Sequence, residues 1–485
     1  MKMKKIILRH FFLILMVVAI HSCREKKKEK PNILFIFSDD QAFNTINALG
    51  NEEIQTPNLD NMVREGTCFT HAYNMGAWHG AVCVASRTML VTGEFLWHAR
   101  ESESNLDSLA GENHLWSQML SEQGYDTYFS GKWHVKVDAD SVFDHTRHIR
   151  PGMPGTVPEA YNRPIKGQEP QWSPYDKSLG GYWKGGKHWS EVLGDDAEDF
   201  MQQASEDEDP FFMYLAFNAP HDPRQSPKKY VDMYPREEIK VPENFIPEYP
   251  FKEEIGSGED LRDERLAPFP RTEYAVKTHR QEYYAIISHM DRQIGRILKA
   301  LEESGKADNT YIFFTADHGL AVGRHGLMGK QNIYDHSVRA PLIVIGPDIP
   351  KDEKLDMNVY LQDIMPTTLN LAGMEKPEYV EFSSLLPYIR GKRNASVYDN
   401  IYGGYRDLQR MIRDDEYKLI AYPEAEELRL YNVKNDPLEM NDLADDPEQE
   451  ERIKEMFHEL ENLSTQMGDT LKLEKYFPKI EKGSN

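Results

Sequence analysis

Asn32-Ile33-Leu34-Phe35-Ile36-Phe37 is an almost wholly apolar run that stops at Ser38-Asp39-Asp40. A run this short, with no polar residue on alternate positions, reads as a strand buried on both faces of a sheet. Thr310-Tyr311-Ile312-Phe313-Phe314-Thr315 has the same character and stops at Ala316-Asp317-His318-Gly319. Phe211 to Phe217 and Leu342 to Ile345 are two further runs. Between them Ile287, Met290, Ile294, Ile297 and Leu301 recur at spacings of three and four, one face of a helix. Buried strands alternating with helices predict an α/β fold, a large mostly parallel sheet sandwiched by helices. Ligand sites in such sheets lie beyond the carboxyl ends of the strands. Both acidic pairs stand at such ends, so two distant segments are expected to meet at one site.

Further along, the texture changes. Residues 140–275 are rich in Pro, Gly, Tyr and Trp, and 151–190 and 232–272 look like long excursions that wall a binding cleft. From about Ser396, Met411-Ile412, a turn at Asp414-Asp415 and Tyr417 to Tyr422 predict a β-hairpin. Leu428 to Asn432 predicts another strand, and Ile453, Met456, Phe457, Leu460 and Leu463 a helix face. The expected organisation is therefore a main domain over 31–395 and a smaller C-terminal subdomain, antiparallel sheet plus helix, over 396–485.

The 485 residues carry 57 Lys and Arg against 80 Asp and Glu, a formal charge of −23. A surface this acidic argues against nucleic acid as a partner. Three cysteines, Cys23, Cys68 and Cys83, provide no disulfide framework. Met1 to Arg9 is basic, and Phe11 to Ile20 is apolar but too short to span a bilayer. Ile20-His21-Ser22-Cys23 resembles a bacterial lipobox. Residues 1–23 are thus expected to be a lipoprotein-type signal peptide and 24–30 a charged tether. The expected location is periplasmic, with the membrane reached only through a lipid on Cys23; cleavage and release is the alternative.

Cys83-Val84-Ala85-Ser86-Arg87, followed by Thr92-Gly93, is the decisive element for chemistry. Alone, Cys83 reads equally well as a buried structural thiol. The pattern around it resembles the signature of the type I, formylglycine-dependent sulfatases of the alkaline phosphatase superfamily, the iduronate and arylsulfatase group included. The resemblance runs from Pro31 to the C-terminal helix. It takes in Leu430-Tyr431-Asn432-Val433-Lys434-Asn435-Asp436-Pro437, Glu439-Met440-Asn441 and Leu443. It implies that Cys83 is oxidised to Cα-formylglycine, whose hydrate attacks sulfur through one hydroxyl and expels sulfate through the other. Ala85 replaces the commoner Pro and implies a radical-type maturation enzyme as partner.

The same resemblance assigns the remaining residues. Asp39, Asp40, Asp317 and His318, with the modified Cys83, would hold Ca²⁺ or Mg²⁺, ions suited to oxygen ligands. His318 stands where Asn is commoner. In Gly131-Lys132-Trp133-His134, Lys132 would bind sulfate and His134 would contact the formylglycine hydroxyl. His221, in Asn218-Ala219-Pro220-His221-Asp222-Pro223, would be the general acid. Lys330 would be the second sulfate-binding lysine, and Arg87 would anchor formylglycine and sulfate. These cations answer the puzzle of an anionic substrate on an acidic protein, because nearby buried charges are little screened.

The implied activity is sulfuric ester hydrolysis, exo-acting on a sulfated sugar or uronate of a glycan. Hydrolysis of choline or aryl sulfates, or of phosphonate and phosphate esters, is the alternative on the same fold. An inactive binder of sulfated glycans is another. Trp78, His79, Trp97, His98, Arg100, Asp335, His336 and Arg339 flank the motifs and are expected pocket residues.

Overall fold

The computed structural model describes residues 29–481. The expected signal peptide, Cys23 and most of the tether lie outside the described residues. Eight strands form the main sheet: β1 (Asn32–Ser38), β2 (Thr67–Tyr73), β3 (Asp126–Lys132), β4 (His145–Arg150), β5 (Phe211–Ala216), β6 (Thr310–Ala316), β7 (Arg339–Ile345) and β8 (Glu353–Tyr360). Their order is β8-β2-β7-β6-β1-β5-β3-β4. Only β7 runs against its neighbours; β4, β3, β5, β1 and β6 are mutually parallel.

β1 shows why its sequence carried no alternation. Ile33, Phe35 and Phe37 enter one core, with Trp116, Phe129 and Tyr214. Leu34 and Ile36 enter the other, with Met290, Ile294, Ile297 and Leu301. Successive side chains point to opposite faces, and here both faces are covered. The covering helices include α1 (Val82–Thr92), wholly buried, α2 (Trp189–Ser205) and the 31-residue α3 (Glu273–Glu303). Thr272 caps α3 by accepting from the Ala275 amide. Ile287, read from the sequence on the same helical face as Met290, turns instead into a separate cluster with Tyr234, Tyr283 and Met328. No described helix is long and apolar enough to cross a membrane.

The C-terminal strands β9 (Ile401–Tyr405), β10 (Gln409–Arg413), β11 (Lys418–Tyr422) and β12 (Glu427–Tyr431) make an antiparallel sheet, joined by α4 (Glu450–Gln466). A short strand, Gly76–Ala77, adds to it in parallel beside β9. Gly76 has φ +98°, and a Cβ there would lie 2.0 Å from the Gly404 carbonyl oxygen. The loop before α1 is thereby stitched to the small sheet.

Candidate active site

Strand order builds the site. β6, β1, β5 and β3 are neighbours and parallel, so their carboxyl ends share one edge, about 4.8 Å apart strand to strand. Asp317-His318 follow β6, Asp39-Asp40 follow β1, the His221 loop follows β5, and Lys132 ends β3. Ser38 pairs with Ala316 in register, which sets Asp39 beside Asp317. The Asp40 amide donates to Asp317 Oδ1 at 3.0 Å. Asp40 and His134 both hold positive φ, 65° and 57°, a strain concentrated at functional turns. Cys83 sits in the first turn of α1, directly above this edge.

Five ligand-type atoms, from Asp39, Asp40, Cys83, Asp317 and His318, lie within 4.8 Å of one another, all buried. Cys83 Sγ is 3.3 Å from His318 Nε2 and 3.7 Å from Asp40 Oδ1. His318 Nδ1 is 2.9 Å from the Gly319 carbonyl, to which it donates, leaving Nε2 turned to the cluster. Asp39 Oδ1 is buried without a hydrogen-bond partner. Burial, then Asp317, raises the Asp39 carboxyl well above the usual range. An unpartnered buried carboxylate oxygen among three carboxylates fits a divalent cation with hard oxygen ligands.

Cations ring this cluster. Lys132 Nζ donates to Asp39 Oδ2 at 2.6 Å. Lys330 Nζ donates to Asp40 at 2.7 and 3.0 Å and lies 2.9 Å from His221 Nε2. Arg87 donates to Asp317 at 3.2 Å and to the Lys132 carbonyl at 2.7 Å, so its guanidinium braces the strand ends from beneath. Burial pushes the Cys83 thiol up, but Lys132 and Lys330 outweigh it and bring it down to about 5. The site is built to stabilise negative charge at position 83. Burial opposes a charged His318, yet Asp317 and Asp40 raise it to about 9.

The two other histidines are held neutral. Burial and Lys330 lower His221 well below its ordinary value. Its Nδ1 donates to the Asp222 carbonyl at 2.6 Å, so Nε2 accepts from Lys330. Burial and Lys132 likewise lower His134, whose Nδ1 has no partner.

Several contributors have no local sequence signal. Asp263 Oδ2 stands 3.6 Å from Lys330, and Arg262 pairs with Asp263 and lies 3.6 Å from Asp222. Glu264 accepts from the Met328 and Gly329 amides and so sets the turn before Lys330. Tyr182 places its hydroxyl 2.7 Å from the carbonyls of both Asn218 and His221. These residues lie in the two excursions, whose composition was the only hint. The expected flanking pocket residues divide. His79 meets Glu103 and lies edge-on to Trp78, while the neighbouring Gly80 carbonyl accepts from Gln331 beside Lys330. The others make contacts within the fold. Trp97 donates to Tyr402, His98 meets Glu381, and Arg100 stacks on Trp97. Asp335 pairs with Lys418, His336 stacks near Tyr334, and Arg339 covers Phe43.

The sulfatase family model matches residues 31–374, and the model for the C-terminal part of N-sulphoglucosamine sulphohydrolase matches 323–466. An arylsulfatase of Clostridium perfringens is 30% identical over 93% of this chain and 98% of its own length. An N-acetylglucosamine-6-O-sulfatase of Bacteroides thetaiotaomicron is 26% identical over 94% and 90%. A solved complex of a protein with its substrate D-glucosamine-2-N,6-O-disulfate superposes with TM-score 0.71 at 24% identity, covering 92% of this chain and 100% of that one. The phosphonate monoester hydrolase of Agrobacterium radiobacter superposes equally, TM-score 0.71 at 19% identity, covering 90% and 96%.

Proposed function

The chain belongs to the sulfatase family, a family of sulfuric ester hydrolases, and from that premise we propose that it removes sulfate from a sulfated sugar of a glycan. The observation that carries this reading is Cys83 seated between His318 and Asp40, with Lys132 and Lys330 on either side. When present, Cα-formylglycine at position 83 supplies the attacking oxygen, and a divalent cation held by Asp39, Asp40, Asp317 and His318 offsets charge on sulfate. Ca²⁺ is the ion this oxygen-rich set favours, with Mg²⁺ second.

The chain's own groups do the rest. Lys132 and Lys330 each hold one carboxylate and present remaining N–H donors to a sulfate oxygen. Arg87 keeps Asp317, Asp39 and the Lys132 backbone in fixed relation, so the donors cost no reorganisation during reaction. His221 can exchange a proton only through Nε2, because Nδ1 is committed to the Asp222 carbonyl. The negative charge of a bound sulfate monoester beside Nε2 favours its protonation, and the Lys330 ammonium 2.9 Å away keeps Nε2 turned into the site. His221 then donates to the leaving sugar oxygen. His134, kept neutral, is in the form that accepts a proton. We further propose export with a lipid on Cys23, and maturation by a radical-type enzyme that accepts Ala85.

Peptide mass spectrometry across Cys83, on protein from the native host, tests the nucleophile. The expected result is a hydrazide-reactive aldehyde there, with sulfate release from sulfated sugars lost in Cys83→Ala. Turnover by that variant, or an intact thiol in fully active protein, refutes the reading. Paired rates on p-nitrophenyl sulfate and phenylphosphonate esters separate it from phosphonate hydrolysis.

A further inference from the structure

A cleft of about 790 Å³ opens between the 151–190 excursion and the first turns of α3. Tyr161, Arg163, Trp172 and Tyr175 line one side, and Tyr274 and Gln281 the other. No residue of the cation cluster lines it, so it is a separate cavity. It is nonetheless tied to the catalytic loop at both ends. The Gly152 carbonyl accepts from Asn218 Nδ2 at 2.6 Å, and a Cβ on Gly152 would stand 3.2 Å from His134 Nε2. At the far end the Tyr182 hydroxyl touches the carbonyls of Asn218 and His221. Between these anchors Arg163 forms a two-pronged ion pair with Glu282 at 2.6 and 2.5 Å, which fixes the wall to α3.

Two independent observations point to a ligand. Trp172 is 5% exposed, yet its indole N–H has no hydrogen-bond partner. A buried donor left unpaired costs about 1–3 kcal/mol, unless something outside the chain satisfies it. Tyr175 and Ile165 line the same cleft at 42% and 43% exposure, large apolar surface left open to solvent apart from the Lys228 ammonium over the Tyr175 ring. Charge then selects the occupant. The lining carries Glu159, Glu169, Asp232 and Glu282 against Arg163 and Arg236 only. Glu282 is paired with Arg163 and Asp232 with Lys228, which leaves Glu159 and Glu169 against Arg236, so the lining gathers no positive charge for a polyanion. Apolar ring faces with amide and indole donors suit an uncharged pyranose, which offers C–H faces and hydroxyl acceptors.

We propose that this cleft binds uncharged sugar units of the glycan, so that the sulfate enters the catalytic site on a chain whose neighbouring units lack sulfate and carboxylate. This rests on the sulfatase reading above for the reacting end. The test is binding of the whole protein to a printed array of neutral, sulfated and uronate-containing oligosaccharides, beside turnover of a sulfated monosaccharide. Tyr175→Ala, at an exposed position, leaves the fold intact; Trp172→Phe removes only the donor and indole bulk. The expected result is retention of neutral oligosaccharides that falls about tenfold in each variant. Monosaccharide turnover stays within about twofold, since neither residue touches the cation cluster. No retention, retention of anionic chains only, or retention unchanged by Tyr175→Ala overturns the proposal. Neutral binding that depends on Tyr175, in protein that cleaves no sulfated sugar, upholds the cleft and refutes the sulfatase reading instead.

Discussion

Gly131→Ala removes no reacting atom, yet it should disable the site. Gly131 has φ +101°, and a Cβ there would lie 1.8 Å from the Ala216 carbonyl oxygen on the neighbouring strand. The left-handed backbone costs an L-residue about 1–2 kcal/mol. Forcing β3 from β5 adds about 1–3 kcal/mol of overpacking. Together these give about 2–5 kcal/mol. With an unfolding entropy of about 2.1 cal/mol/K per residue, a chain of this length melts about 2–5 °C lower. The displacement falls on the next residue, Lys132, whose ammonium must reach Asp39 at 2.6 Å. A shift near 1 Å in such a group costs roughly 10²-fold in rate. Calorimetry and sulfate-release kinetics on Gly131→Ala check both figures. Gly373→Ala is the control, because φ there is +80° but nothing lies within 4 Å of the added methyl. It should melt about 1–2 °C lower at full activity. A Gly131→Ala enzyme with wild-type melting and turnover would refute the steric argument.

Chelation should abolish turnover, with Ca²⁺ restoring it better than Mg²⁺; full activity after exhaustive chelation contradicts the metal assignment. His221→Ala should slow alkyl sulfates of sugars at least tenfold more than p-nitrophenyl sulfate, whose leaving group needs no proton; equal losses rule out proton donation. Asp469→Ala strands the Arg410 guanidinium, which donates to Asp469 at 2.5 and 2.9 Å while stacked on Trp97. That should cost about 3–5 kcal/mol by urea denaturation; a loss below about 1 kcal/mol would show the pair to be dispensable. Burial raises the Asp363 carboxyl from 3.8 to about 7. The native state therefore keeps this proton while the unfolded chain loses it. The contribution is complete below about pH 4 and is lost as pH rises through 7, at most about 4 kcal/mol. Asp363→Asn should show a stability difference from wild type that changes across that window; a pH-independent difference argues against the shift.

Local pattern alone determined a good deal about this protein. Unalternating apolar runs ending in acids marked β1 and β6, because a strand covered on both faces has no polar positions until it leaves the sheet. Through the family resemblance, the Cys83 to Arg87 pattern and Lys132, His221 and Lys330 could be named as candidates from sequence, because each lies in a short contiguous motif. Tertiary structure alone decided that β6, β1, β5 and β3 lie side by side, which brings Asp39 next to Asp317. It also decided that Trp97, Asp335 and Arg339 contact Tyr402, Lys418 and Phe43, while Asp263, Glu264 and Tyr182 contact the Lys330 and His221 segments. Those assignments depend on contacts between residues far apart in the chain, and strand order, burial and charge pairing leave no periodic trace in a sequence.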